Sequence, residues 1–447
     1  MWTLWAAMLV ISGLLYANKA AAERSAFVRW RHQASGLWQG KDIYDTFVYP
    51  NPPIVPILLR PLMILPPVPG AVLWFACKGV MATIAAVWCF RMATGPGERR
   101  LPWWAVGLVL ALSARPLLSD LNHGNINILI LFLIVATLEA WRRGYDVGAG
   151  ILLGLAITCK VTPGLFLPYF VYKRSWRTVA GTFLGLALFF VVVPSVVLGP
   201  NFNAQLLSSW WHRMLSPYVM GDDISPQEVN QSLGGVMTRL LVQHKEGRSG
   251  HEGYHAVQFA VNVVSLSGDT VGRALKVLSF GLLALLGLFC RTKAVRRDDP
   301  RLLGEYALVV LTMLFASERT WKHHYVTLML PYAFLVIGGL VRPGRSPRAR
   351  WAVAGALSLS AILISTTSNV VGHLFAERNG HELAMAYGMF FWGAVVLYAA
   401  TAALVYADLS EVTDPGTSSA PILRPHLLAW MNRKRGRVGT GLTNLVK

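Results

Sequence analysis

Ten stretches, at residues 2–20, 68–92, 103–118, 125–141, 178–198, 272–290, 302–317, 325–341, 351–372 and 384–407, are apolar and long enough to enter a bilayer core. Inside lipid each backbone amide has to be satisfied within its own segment, so runs of this kind are confined to helices. The expected fold class is therefore an all-α polytopic membrane protein. With 54% hydrophobic and 14% charged residues, the chain of 447 is too apolar for an ordinary soluble enzyme.

The 41 Lys and Arg exceed the 22 Asp and Glu, for a formal charge of +19. Spread over a soluble surface, that excess would suit nucleic acid. Here it sits in short loops between apolar runs, the pattern of cytoplasmic loops, and no nucleic-acid partner is expected. Arg91 with Arg99 and Arg100, Arg142 with Arg143, Lys173 with Arg174 and Arg177, and the stretches 291–301 and 342–350 are all expected on the cytoplasmic side.

That assignment conflicts with a single crossing at 147–172, which would put its two flanking basic loops on opposite sides. The conflict disappears if the segment is a re-entrant broken hairpin turning at Lys160-Val-Thr-Pro163. About ten full transmembrane helices plus this hairpin then leave both termini in the cytoplasm. The outer face receives polar loops at about 21–67, 119–124, 199–271 and 318–324, and the chemistry is expected there.

In the first outer loop, Phe27, Trp30, Ala34 and Leu37 follow helical spacing among basic residues, as in an interfacial helix. Lys19, Arg24, Arg29 and Arg31 break the charge rule there, which points to function or to a headgroup anchor. Segment 2–20 ends at Ala20-Ala-Ala22, like a cleavable signal, but is expected to be a retained anchor. Cys77, Cys89, Cys159 and Cys290 fall in or beside spans and imply no disulfide framework. Residues 1–407 form the expected membrane domain, and 408–447, with basic Arg433-Lys-Arg435, a disordered cytoplasmic tail.

Several polar clusters stand out against this background. Asp120, Asn122, His123, Asn125 and Asn127 form an island between two apolar runs, where a working site is expected. Lys160 precedes Pro163, which frees backbone groups, so it should face a phosphate or pair with Asp120 or Glu318. His323 and His324 follow Glu318, Arg319 and Lys322 in one outer loop, where a histidine can share a proton or donate to phosphate. Tyr44-Asp-Thr-Phe-Val-Tyr-Pro-Asn-Pro-Pro53 cannot be regular helix; its rings, Tyr49 included, suit sugar stacking or a membrane belt, and Asp42 and Asp45 flank them. Asn230-Gln-Ser232 offers neutral groups for hydroxyls, or an ordinary cap. Asp222-Asp223 is a weak metal pair, and no metal is expected. P-loop, Rossmann, zinc-helix and nucleophile-elbow motifs are missing from the sequence, so no nucleotide cofactor is expected either.

Together, Gly40-Lys-Asp-Ile-Tyr44, Tyr49-Pro-Asn-Pro-Pro53, His123-Gly-Asn125, Gly150-Ile-Leu-Leu-Gly154 leading to Lys160 and Pro163, Asn230-Gln-Ser-Leu233 and Trp321-Lys-His-His-Tyr325 carry a resemblance over residues 27–332. The chain resembles glycosyltransferase family 87, polytopic GT-C-fold enzymes typified by polyprenyl-phosphate-mannose-dependent mannosyltransferases. The resemblance implies a GT-C-type bundle in the bacterial cytoplasmic membrane, with its site facing outward. It implies inverting transfer of a hexose, mannose by family precedent, from a polyprenyl-phosphate donor to a hydroxyl of a lipid or glycan acceptor. Membrane lipids, donor and acceptor are the implied partners.

The family usually carries an aspartate before the interfacial helix, where this chain has Ala26. Glu23 or Asp120 then becomes the expected base. Arg29, Arg31, Lys160, His323 and His324 are the expected donor-phosphate residues; Tyr49, Asn51, Asn122, His123, Asn125, Asn230 and Gln231 are those for sugar or acceptor. A secondary carrier built around Lys160, or an inactive lipid-sugar-binding relative, is the alternative.

Overall fold

The computed structural model describes residues 2–47, 49–95, 100–219, 224–244, 257–372 and 379–413. Every regular element among them is a helix. The chain divides into two units, 1–405 and 406–447, and the described residues of the second, 406–413, are helical. Arg99, Asp222-Asp223 and the expected tail from 414 onward lie outside the described residues.

Among the described residues, seven helices are long and apolar enough to cross a membrane: Trp2–Ala21, Pro67–Thr94, Trp103–His123, Trp176–Leu198, Gly268–Phe289, Lys322–Val341 and Met389–Ser410. Three of the ten expected spans fall short of that measure. Asn127–Arg142 and Arg301–Ala316 are helices of 16 residues, which reach about 24 Å against a hydrocarbon core of roughly 30 Å. Pro347–Ser365 is longer, but its first turns contain Arg348 and Arg350, which dilute the apolar run. Both 16-residue helices are buried along nearly their whole length. Much of their apolar sequence is in contact with neighbouring helices.

Segment 147–172 is broken where the sequence suggests. Helix Asp146–Cys159 ends at Lys160, whose backbone is extended, and a short turn at Thr162–Leu165 leads into Phe166–Tyr172. Both outer ends of this segment return to the same place. Asp146 pairs with Arg297, whose guanidinium lies over Trp141. Trp141 in turn meets Phe170 and donates from Nε1 to Ser175 Oγ at 2.8 Å. Lys173 Nζ lies 2.7 Å from Glu305 and donates to the carbonyls of Cys290 and Thr292. The basic loops around 142, 173 and 297 therefore share one end of the bundle, while the break at Lys160 reaches Asn127 at the other.

Backbone contact holds the first half of this broken segment against the next helix. A Cβ on Gly154 would stand 2.7 Å from Gly185 Cα, and one on Gly181 would stand 2.5 Å from Val147 O. Spaced small residues are what let two membrane helices approach this closely. The amino-terminal helix is seated against Pro67–Thr94 by Trp5 Nε1, which donates to Thr83 Oγ1 at 2.9 Å, and by Tyr16 stacked on Phe75.

Helix Ala26–Ser35 forms where amphipathic spacing predicts it. Ser25 Oγ accepts from Val28 N, and the Phe27, Trp30 and Ala34 face is buried. Gly124 ends the Trp103–His123 helix with φ +82, a left-handed value that suits glycine. A side chain there would also collide with Tyr16 Oη at 2.6 Å. The sharp stop brings His123 and Asn125 to the mouth of the bundle.

Candidate active site

Several stretches converge on a cavity of about 720 Å³. Ala26, Arg29 and Trp30 come from the capped helix, and Pro50, Asn51 and Pro52 from the proline loop. His123 and Asn125 to Asn127 come from the glycine stop, and Cys159 to Thr162 from the helix break at Lys160. Residues 316–324, with Glu318, Arg319, His323 and His324, close one side. Ligand pockets commonly enclose about 300–1,000 Å³, so a sugar phosphate fits this space.

Its histidines are packed together. His123 and His323 stack with ring centroids 4.7 Å apart and planes 15° from parallel. Asn125 Nδ2 lies 3.0 Å from His323 Nε2, and His324 Nδ1 accepts from Trp321 N at 3.2 Å. An amide donating to Nε2 leaves that nitrogen as the acceptor of the His323 ring.

Lys160 does not pair directly with a carboxylate. Its ammonium donates to Asn127 Oδ1 at 2.8 Å, and Asn127 Nδ2 donates to Asp120 Oδ1 at 2.9 Å. Asp120 Oδ2 lies 3.4 Å from Lys78 Nζ, with both side chains fully buried. Lys78 also donates to the Asp120 carbonyl at 2.7 Å. The result is a relay of Lys160, Asn127, Asp120 and Lys78 in which the amide separates the cavity lysine from the buried pair.

The structure brings Arg29, Lys160, His323, His324, Asn51, His123 and Asn125 to the cavity wall. The other expected site residues stand elsewhere. Asp120 lies behind the wall in its pair with Lys78, and Glu23 is exposed with left-handed backbone, φ 56. Arg31 donates to Met63 O at 2.8 Å, and Asn122 contributes its carbonyl to Lys19. Tyr49 is fully buried between Trp30 and Tyr44, and burial pushes its hydroxyl's pKa up.

Asn230 and Gln231 are also buried, and they bind backbone rather than facing the cavity. Asn230 Nδ2 donates to the carbonyls of Ser225 and Glu318, and Gln231 Nε2 to those of Glu228 and Met385. Arg239 completes this scaffold by donating to Ala386 O, Gln227 O and Asn230 O at 2.9, 2.7 and 2.7 Å. Burial lowers its pKa to about 10.

Two residues that sequence reasoning undervalued now matter. Asn127 belonged to the polar island of the sequence but was given no role of its own, and it links Lys160 to Asp120. Glu318 stood only as a pairing partner for Lys160, yet among the described lining residues it is the one carboxylate. No group of three or more His, Cys, Asp and Glu able to hold a metal occurs among the described residues.

Comparison with known proteins agrees with this picture. The profile of glycosyltransferase family 87 matches residues 47–317. A polyprenol-phosphate-mannose-dependent alpha-(1-2)-phosphatidylinositol mannoside mannosyltransferase of Mycobacterium tuberculosis is 28% identical over 308 residues, 65% of this chain and 62% of that protein. Its namesake in Mycolicibacterium smegmatis is 31% identical over 360 residues, 79% of this chain and 73% of its own. A pentamannoside mannosyltransferase of the same organism is 27% identical over 308 residues, 68% and 64% of the two chains. The match thus spans under two thirds of the first and third relatives' lengths. No solved structure matches. With its profile match covering more than half of the sequence, this integral membrane chain belongs to glycosyltransferase family 87.

Proposed function

We propose that the chain transfers mannose from a polyprenyl-phosphate-mannose donor to a hydroxyl of a lipid or glycan acceptor, with inversion at the anomeric carbon. The observation that carries this reading is Lys160, held by Asn127 at a broken helix and lining a cavity that also holds Arg29 and three histidines. Cations so placed stabilise the charge that grows on a departing lipid phosphate. A lipid-phosphate leaving group also needs no nucleotide pocket.

In this reading Arg29, Lys160 and His324 take the phosphate, while Asn51, Asn125 and the stacked His123 and His323 face the sugar. The buried Asn230-Gln-Ser232 scaffold holds the 318–325 loop in place. Mannose and the polyprenyl carrier follow from the mannosyltransferases this chain is similar to. Bundle topology follows the charge pattern: Asn127–Arg142, Arg301–Ala316 and Pro347–Ser365 complete about ten spans, the segment at 147–172 is re-entrant, and the shared basic end is cytoplasmic. Both termini are then cytoplasmic and the cavity opens outward. Residues 1–407 act as one catalytic domain with a basic tail at 408–447.

The test uses purified protein in native-lipid nanodiscs with a lipid extract as acceptor source. Label is expected to pass to new lipids from radiolabelled polyprenyl-phosphate-mannose and not from GDP-mannose. Transfer from the nucleotide sugar alone would overturn the reading.

A further inference from the structure

We propose that Glu318 is the carboxylate that takes the proton from the acceptor hydroxyl. This deepens the transferase reading and rests on it. An inverting transfer needs a base beside the acceptor oxygen, and the position before the interfacial helix holds Ala26, which lines the cavity without a titratable group.

The other acidic side chains near the interfacial helix stand away from the cavity. Asp120 is paired with Lys78, and Glu23 is exposed outside it. Asp42 caps Tyr44 N and accepts from Ser209 Oγ, and Asp45 pairs with Arg213 at 2.6 Å. Glu318 alone among the described residues brings a carboxylate to the wall that also carries Lys160 and the histidines.

Its position between two chambers is the second argument. Ala316, Ser317 and Glu318 also line a neighbouring cavity of about 950 Å³, whose far side carries Leu275, Phe280 and the cations Arg273 and Lys276. A transferase brings two substrates to a common base. The 316–318 segment is the wall that the two spaces share.

The loop is also held firmly. The Glu318 carbonyl accepts from Asn230 Nδ2 at 2.9 Å and from Ser232 Oγ at 3.2 Å. Thr320 N donates to Asn230 Oδ1 at 3.1 Å, and the Thr320 carbonyl accepts from Gln231 N. Four backbone anchors within three residues restrict where the Glu318 side chain can go, which a positioned base requires. In the step itself, the acceptor oxygen bonds to mannose C1 as its proton passes to Glu318. The bond from C1 to the phosphate oxygen breaks, and its electron pair leaves with polyprenyl phosphate, opposite Lys160 and Arg29.

The experiment compares the parent, Glu318→Gln and Glu318→Asp in nanodiscs, measuring transfer kinetics and, separately, binding of radiolabelled polyprenyl-phosphate-mannose. Glu318→Gln is expected to lower kcat at least a hundredfold, the lower end of general-base effects of roughly 10²–10⁴. Its donor affinity should stay within about threefold of the parent, which shows that the variant is folded, and Glu318→Asp should recover part of kcat. Glu318→Gln with kcat within tenfold of an active parent overturns the assignment alone. Equal loss of donor binding overturns it too, because the side chain then serves binding. A parent that binds donor and transfers to no acceptor overturns the transferase reading, and Glu318 as base with it.

Discussion

Replacing Lys78 with methionine would leave the Asp120 carboxylate buried with only Asn127 Nδ2 at 2.9 Å and Ile128 N at 3.4 Å as donors. Lys78 now supplies an ammonium to Asp120 Oδ2 at 3.4 Å and to the Asp120 carbonyl at 2.7 Å, with both residues fully buried. Removing one member of such a pair costs about 3–5 kcal/mol, because the other charge is left uncompensated. Removing both charges in Lys78→Met/Asp120→Asn should cost less than the two single changes summed, with a coupling energy of at least about 1.5 kcal/mol. Equilibrium unfolding of the four proteins in mixed micelles measures that cycle. Single changes that add to within about 0.5 kcal/mol would refute the reasoning, since distant independent sites behave that way. The same set separates a structural from a catalytic Asp120. Asp120→Asn should reduce folded yield while transfer per folded molecule stays within about tenfold, short of a general base's effect of roughly 10²–10⁴. A hundredfold loss of transfer at unchanged stability would make Asp120 the base.

Lys160→Met should weaken binding of polyprenyl-phosphate-mannose by about 10- to 100-fold, the loss of one charge-assisted contact of roughly 1.5–3 kcal/mol, and equal affinity in a nanodisc binding assay would remove its phosphate role. Gly154→Ala places a Cβ 2.7 Å from Gly185 Cα and should cost about 1–3 kcal/mol in the same unfolding assay; unchanged stability would contradict the close backbone packing. Transfer should be insensitive to EDTA, in keeping with a donor set that needs no divalent ion, and activity restored by Mg²⁺ or Mn²⁺ after chelation would contradict this.

Much of the fold was legible because lipid allows so few solutions. Apolar length, basic loops and Pro163 together located the helices and the break at Lys160, and Trp141, Asp146, Phe170 and Lys173 meet at one end as the charge argument requires. Asn127–Arg142 and Arg301–Ala316 are shorter than the apolar runs suggest, and an apolar run means burial by neighbouring helices as readily as by lipid. The candidate site was half legible. Clustered polar types marked His123, Asn125, Lys160 and His323, which do line the cavity. Asn230 and Gln231 carry the same chemistry and spend it on carbonyls, a difference set by side-chain direction that spacing along the chain does not encode. Glu318 was undervalued for a similar reason, since a carboxylate in a loop full of cations reads as a salt-bridge partner until the cavity beside it is seen.

The most direct measurement is sugar transfer by the purified parent in nanodiscs, with the anomeric configuration of the product determined by NMR. The account predicts a new mannosylated lipid or glycan whose linkage is inverted relative to the polyprenyl-phosphate donor. Donor binding without transfer to any acceptor, or transfer with retained configuration, would contradict it.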